Sequence, residues 1–203
     1  KWNEYVRIMY GFTDDIDDNR KQVFREAVKI WADHTCISLQ EQQPPPSELG
    51  ITVGIWNKDG CYLNGMGNGR SKINLGWCNS AYHLGNMVHE IGHALGMNHE
   101  QKRPDATTNY HGKGPFLKMH WDQITDRWLP QFSGSEYSYT GSANDGPGDP
   151  KSGWSDYDFA SIMHYGSSGE FDTIPASSKH LVGNRKALSP GDIQQINDMY
   201  QCR

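Results

Sequence analysis

The sequence predicts an α+β domain built as two lobes, and three observations lead there. Apolar residues alternate at strand spacing and recur at helical spacing through residues 1–99. After residue 99 the periodicity fades, and Gly, Ser, Asp and Pro gather between residues 134 and 153. Order returns in a well-signalled helix near the end. Residues 1–203 are expected to form a single domain. Its N-terminal lobe, about 1–99, should hold a twisted, mostly antiparallel or mixed sheet with two helices. Its C-terminal lobe, about 100–203, should be irregular with one late helix.

The elements follow in order. Residues 6–10 read as a short strand. Asp14, Asp15, Asp17 and Asp18 then precede Val23, Ala27, Ile30 and Trp31, which recur at helical spacing. Acids at that end suit the helix dipole. They do not read as a calcium loop, because the closing glutamate of that pattern is missing. Residues 37–40 and 51–56 alternate as strands, split by a turn at Pro44, Pro45 and Pro46. Residues 72–75 are a further strand, and a helix is expected over about 81–95. Late in the chain Ser189 suits an N-cap, Pro190 the first helical position and Asp192 the first turn. Ile193, Ile196, Met199 and Tyr200 then line one apolar face.

Composition narrows the function classes. Hydrophobic content is a modest 35%, offset by seven tryptophans and ten tyrosines, so a sizeable core is within reach. The net charge of −5 is mild and no basic run occurs, which argues against nucleic-acid or anionic-membrane partners. No apolar stretch approaches the roughly 18 residues a membrane span requires. The four cysteines, at 36, 61, 78 and 202, contain no C-x-x-C pair. An even count in a loop-rich chain favours disulfides and an oxidising, extracellular compartment. Three connectivities are open. Cys61 and Cys78 flank a Gly/Asn-rich stretch and could close a small loop, in which case Cys36 and Cys202 would join the early chain to its end. The chain begins at Lys1 without an apolar leader, as expected of a processed form.

The densest chemical signal is HEIGHALGMNH at residues 89–99. On a helix, His89 and His93 stand one turn apart on one face. Glu90 beside the first ligand can reach a water at the metal rather than the metal. Gly96 lets the chain leave the helix through left-handed angles and return His99 as third ligand. Three neutral nitrogens leave one position open, the mark of catalytic rather than structural zinc. The short motif arises by chance in fewer than roughly one chain in a hundred, and the full motif on the order of 10⁻⁵, so surface histidines at accidental spacing are a poor account of it. The remaining histidines (His34, His83, His111, His120, His164, His180) fit no ligand spacing.

Downstream, Ser161-Ile162-Met163-His164-Tyr165 supplies a methionine where the long zinc motif calls for a Met-turn, the metzincin signature. The chain resembles the astacin family in particular. The resemblance is carried by HEIGHALGMNHEQKRPD at 89–105, SIMHYG at 161–166 and VGNRKALSPGDIQQINDMYQC at 182–202, with weaker likeness over the early elements and all four cysteines. Glu100 directly after His99, and Tyr165 two places after Met163, separate this family from other metzincins.

That resemblance implies a metzincin-like catalytic domain: a secreted zinc endopeptidase made as an inactive precursor, with a removed pro-segment as inhibitor and proteins or peptides as substrates. It implies one Zn²⁺ per chain, Tyr165 as a distant, switchable ligand, and the pairings Cys36–Cys202 and Cys61–Cys78. The Gly-rich segment after Cys61 would lead into the strand bordering the active-site cleft. An arginine in the stretch matching Arg185 can enter the pocket for the residue after the scissile bond. In that family the mature N-terminal ammonium meets the glutamate matching Glu100; Trp2 falls several residues inside the usual mature N-terminus. The distance from His99 to Met163 is longer than usual, with the surplus at 134–153. A monomer is expected. The competing reading is a catalytically inactive, zinc-stabilised extracellular binding module, against which the presence of Glu90 argues, because a pure ligand site does not require that acid.

Overall fold

The computed structural model describes residues 2–66, 69–134, 148 and 153–203. The chain divides into two compact units, residues 1–96 with 202–203 and residues 97–201.

The first unit is built on a five-stranded sheet in the order β2-β1-β3-β5-β4. Its strands are β1 (Val6–Phe12), β2 (Ile37–Glu41), β3 (Gly50–Gly54), β4 (Cys61–Asn64) and β5 (Arg70–Leu75). Helix α1 (Asp18–His34) carries the chain from β1 to β2, which pair in parallel from Val6↔Ile37 to Tyr10↔Glu41. β1 with β3 and β3 with β5 are also parallel, and β4 with β5 is antiparallel. The sheet is thus mixed, but the expected antiparallel majority is corrected to a parallel one. The reason lies in the connections: a short turn can join only antiparallel neighbours, parallel ones need a crossover, and only β4 runs directly into its partner. The edge is held by β4, which precedes the Gly-rich run; β5, which follows that run, lies inside the sheet.

Helix α1 starts where Asp17 accepts the N–H of Arg20, with Asp18 in its first turn. It buries Val23, Phe24, Ala27, Val28 and Trp31. Phe24 and Trp31 are fully shielded, each worth roughly 1.5–3 kcal/mol of burial. The helix ends at Thr35, whose hydroxyl donates to the Trp31 carbonyl at 2.7 Å. Helix α2 (Leu84–Ala94) is reached through a 3₁₀ turn at Ala81–His83. The Trp31 indole N–H donates to the Val88 carbonyl at 3.0 Å, anchoring α2 beside α1. Apolar Met87, Val88 and Ile91 are buried on α2, leaving the histidine face for other work.

The second unit has little regular structure. It holds a short α3 (Pro104–Thr107), a two-stranded ribbon of β6 (Leu117–Met119) and β7 (Phe171–Thr173), several 3₁₀ turns and α4 (Pro190–Met199). Its core gathers Ala106, Leu117, Ile124, Phe132 and Phe171, with Tyr157, Phe159 and Tyr165 packed around them. α4 begins as its sequence signals: Ser189 and Asp192 form a reciprocal capping box with Pro190 in the first turn. Gly191 leaves room there for the Asp158 side chain, whose carboxylate a Cβ at position 191 would displace. The expected loop at 134–153 lies almost wholly outside the described residues.

Two disulfides form, Cys36–Cys202 and Cys61–Cys78, the pairing the resemblance implies. The first returns the end of the chain to the first unit, where the Asn3 N–H also donates to the Arg203 carbonyl at 2.6 Å. Among the described residues no helix is long and apolar enough to cross a membrane.

Candidate metal centre

His89, Glu90 and His93 all lie on α2. The rings of His89 and His93 stand 4.6 Å apart, the spacing one helical turn imposes. At Gly96 φ is +105°, and its N–H donates to the His93 carbonyl at 3.0 Å, closing the helix as glycine in left-handed geometry does. Three residues on, the His99 N–H donates to Asn98 Oδ1 at 2.8 Å, which fixes the backbone that carries the third imidazole. Within this short stretch one ligand atom from each of His89, His93 and His99 lies within 4.8 Å of the other two. It is the one such group of metal-ligand side chains found among the described residues. His89 and His99 are buried at 5% and 8% exposure, and His93 is less deeply covered. Three convergent imidazoles, partly shielded, fit zinc, which takes nitrogen ligands and keeps an open position where it is catalytic.

Next to the third histidine, Glu100 donates its backbone N–H to the Met163 carbonyl at 3.1 Å. Met163 is fully buried in the turn at residues 161–165. The turn is held from α4: the Ser161 hydroxyl and the Ile162 N–H donate to Asp192 at 2.6 and 2.9 Å. Burial pushes the Asp192 carboxyl up to about 6, against the pull of those donors and of the Ser189 N–H. Tyr165 closes the turn, its ring 4.3 Å from that of His99 and 5.8 Å from that of Phe132.

His164 and Tyr157 lie deeper. His164 Nδ1 is 2.8 Å from the Tyr165 carbonyl, which only accepts, so Nδ1 carries the proton. Nε2 then accepts from the Tyr157 hydroxyl at 2.9 Å. Burial holds His164 neutral by lowering its pKa to about 4.

Behind Glu100 lies an ionic cluster that sequence reading passed over. Arg103 is wholly buried. Its Nε and Nη2 donate to the two oxygens of Asp105, both at 2.8 Å, and Nη1 donates to the Ser155 carbonyl at 3.0 Å and reaches Glu100 at 3.4 Å. Its guanidinium carbon also sits 5.6 Å from the centre of the Tyr157 ring. Burial pushes Glu100 up to about 8, opposed by Arg103 and by the Asp158 N–H. The signal was available in the segment Glu100-Gln101-Lys102-Arg103-Pro104-Asp105, where an arginine stands between two acids. Hydropathy, however, assigns such residues to the surface. Arg185, singled out from the sequence, donates Nη1 to the carbonyls of Ile162 (2.7 Å), His164 (3.1 Å) and Asn184 (2.6 Å), against the same turn.

A mixed sheet backed by two helices, the second bearing paired histidines that give way to a glycine turn, is the fold of a metzincin metallopeptidase domain. Comparison with known proteins specifies it further. The family model for the Astacin peptidase family matches residues 1–201. The chain is 31% identical to mouse Tolloid-like protein 1 over 96% of its length, and 31% identical to zinc metalloproteinase nas-36 of Haemonchus contortus over 98%. It spans 18% and 31% of those two proteins. Among solved structures it resembles high choriolytic enzyme 1, a hatching enzyme zinc-protease from the medaka fish Oryzias latipes. The TM-score is 0.77 at 25% identity, covering 100% of this chain and 94% of that one. The chain belongs to the astacin family of zinc metallopeptidases.

Proposed function

We propose that residues 1–203 act as a single metallopeptidase domain that hydrolyses internal peptide bonds of protein substrates. The observation that carries this is the convergence of His89, His93 and His99, with Glu90 beside His89 on the same helix. The three histidines would hold Zn²⁺. The chemistry such an ion supplies when bound is Lewis acidity, which acidifies water and polarises a carbonyl. Glu90 takes the proton of the attacking water on a carboxylate oxygen and delivers it to the nitrogen of the departing amine. Tyr165, which would be a further ligand were zinc bound at rest, would turn its hydroxyl to donate to the oxyanion on the tetrahedral carbon. Gly96, Glu100, Met163 and the two disulfides hold this arrangement rather than react.

Secretion is supported by the disulfides and by the family. A removed pro-segment and a monomeric state complete the reading. The test is zinc stoichiometry together with cleavage of a denatured protein. Both should vanish on chelation and return with added zinc, and cleavage that survives complete loss of metal would end the proposal.

Arg185 carries the specificity part. A guanidinium beside the residue after the cut favours Asp or Glu through charge-assisted hydrogen bonds. A digested peptide library should show acidic residues enriched there, and Arg185→Ala should relax the enrichment. A flat profile at that position in the parent enzyme would remove Arg185 from the pocket.

A further inference from the structure

The contact between the third-histidine segment and the Tyr165 turn has an unusual joint. Glu100 N–H bonds directly to the Met163 carbonyl. Two residues further on, the Tyr165 N–H donates to a side chain, Gln101 Oε1, at 3.1 Å. The other end of the same amide donates through Nε2 to the Gln131 carbonyl at 3.0 Å. Gln101 is 1% exposed. Its orientation is forced, since an N–H only donates and a carbonyl only accepts. On the opposite side, His164 Nδ1–H holds the Tyr165 carbonyl at 2.8 Å. Tyr165 is therefore gripped at both its N–H and its C=O by buried side chains, and Gln101 joins it to residue 131, whose neighbour Phe132 packs edge-on against the Tyr165 ring.

We propose that Gln101 is a positioning residue for Tyr165: its amide holds the tyrosine's main chain still, so that the hydroxyl moves by side-chain rotation about a fixed Cα. This rests on the reading of Tyr165 as the oxyanion donor. A group used in the transition state must be held to well within an ångström, and misplacement by that much costs as much as about 10²-fold in rate. Leucine at position 101 fills the space but neither accepts from Tyr165 nor donates to Gln131, so two partly buried main-chain groups lose the amide that links them.

The experiment is a cycle of Gln101→Leu, Tyr165→Phe and the double variant, on zinc-loaded protein with a peptide substrate, together with amide hydrogen exchange at Tyr165. Tyr165→Phe should lower kcat by about 10²-fold. Gln101→Leu should lower kcat by at least about tenfold with KM within about twofold, and should speed exchange of the Tyr165 amide. The double variant should be no slower than Tyr165→Phe within about twofold, because both changes remove one function. Should Gln101→Leu fail to fold, Gln101→Asn, one methylene too short to span both partners, enters the same cycle. Unchanged kcat in the Gln101 variant, losses that multiply in the double variant, or unaltered Tyr165 exchange would each overturn the proposal. Full activity of Tyr165→Phe would overturn it together with the oxyanion role, while the substitution Glu90→Gln, expected to abolish cleavage with zinc retained, tests the peptidase reading separately.

Discussion

Glu90→Gln is expected to retain its zinc and to lose at least about 10²-fold in kcat. Glu90 is buried at 6% exposure on α2, next to His89 but outside the group of three imidazoles. Glutamine has the same shape, so α2 and its histidines should keep their places. What disappears is a basic oxygen able to take a proton from water. Metal analysis and steady-state kinetics on the same preparation check this, with melting temperature as the control. Turnover at the parental rate would remove Glu90 from the chemistry. Parental protein that binds zinc but cleaves nothing would favour the binding-module reading.

The largest effect on stability is expected at Arg103. Arg103→Met should lower the unfolding free energy by about 3–5 kcal/mol, because Asp105 is then left buried without its bidentate cation and Glu100 loses the guanidinium that opposes its burial. For a chain of this size that is a fall of about 10 °C in melting temperature. The cost lies mainly in the stranded acids, so adding Glu100→Gln and Asp105→Asn to Arg103→Met should recover part of it. Calorimetry on the single and triple variants checks both statements. A single variant as stable as the parent would mean the buried charges are solvated in a way the contacts do not reveal.

These predictions stand at different distances from the sequence. The metal centre was legible because its ligands lie in one helix and one turn, where spacing alone sets geometry. α4 was legible because capping is local: Ser189, Pro190 and Asp192 sit within four consecutive positions. Strand positions in the first unit followed from alternation, but strand direction did not, since alternation is the same whichever way a neighbour runs. Short β4 escaped notice inside a Gly/Asn-rich stretch. The ribbon of β6 and β7 was invisible for another reason, pairing Met119 with Phe171 across a long separation with three residues on each side. Least legible were the buried polar residues. Gln101, Arg103, Tyr157 and His164 look like surface or filler residues until their partners are known, and those partners come from distant segments. Glu100 was marked by resemblance, but the cation that meets it, Arg103, was not.

The Cys36–Cys202 bond has a consequence for molecular integrity. A single peptide-bond cut anywhere between residues 36 and 202 opens a covalent loop and releases no fragment. The whole second unit lies inside that loop, with the histidine helix. A chain nicked by its own kind or by another peptidase would migrate at full mass until reduced. Its two pieces would stay tethered, so that their reassociation remains a concentration-independent, intramolecular event. For a domain proposed to work among proteolysed proteins, that cross-link is a safeguard against scission as much as a contribution to folding.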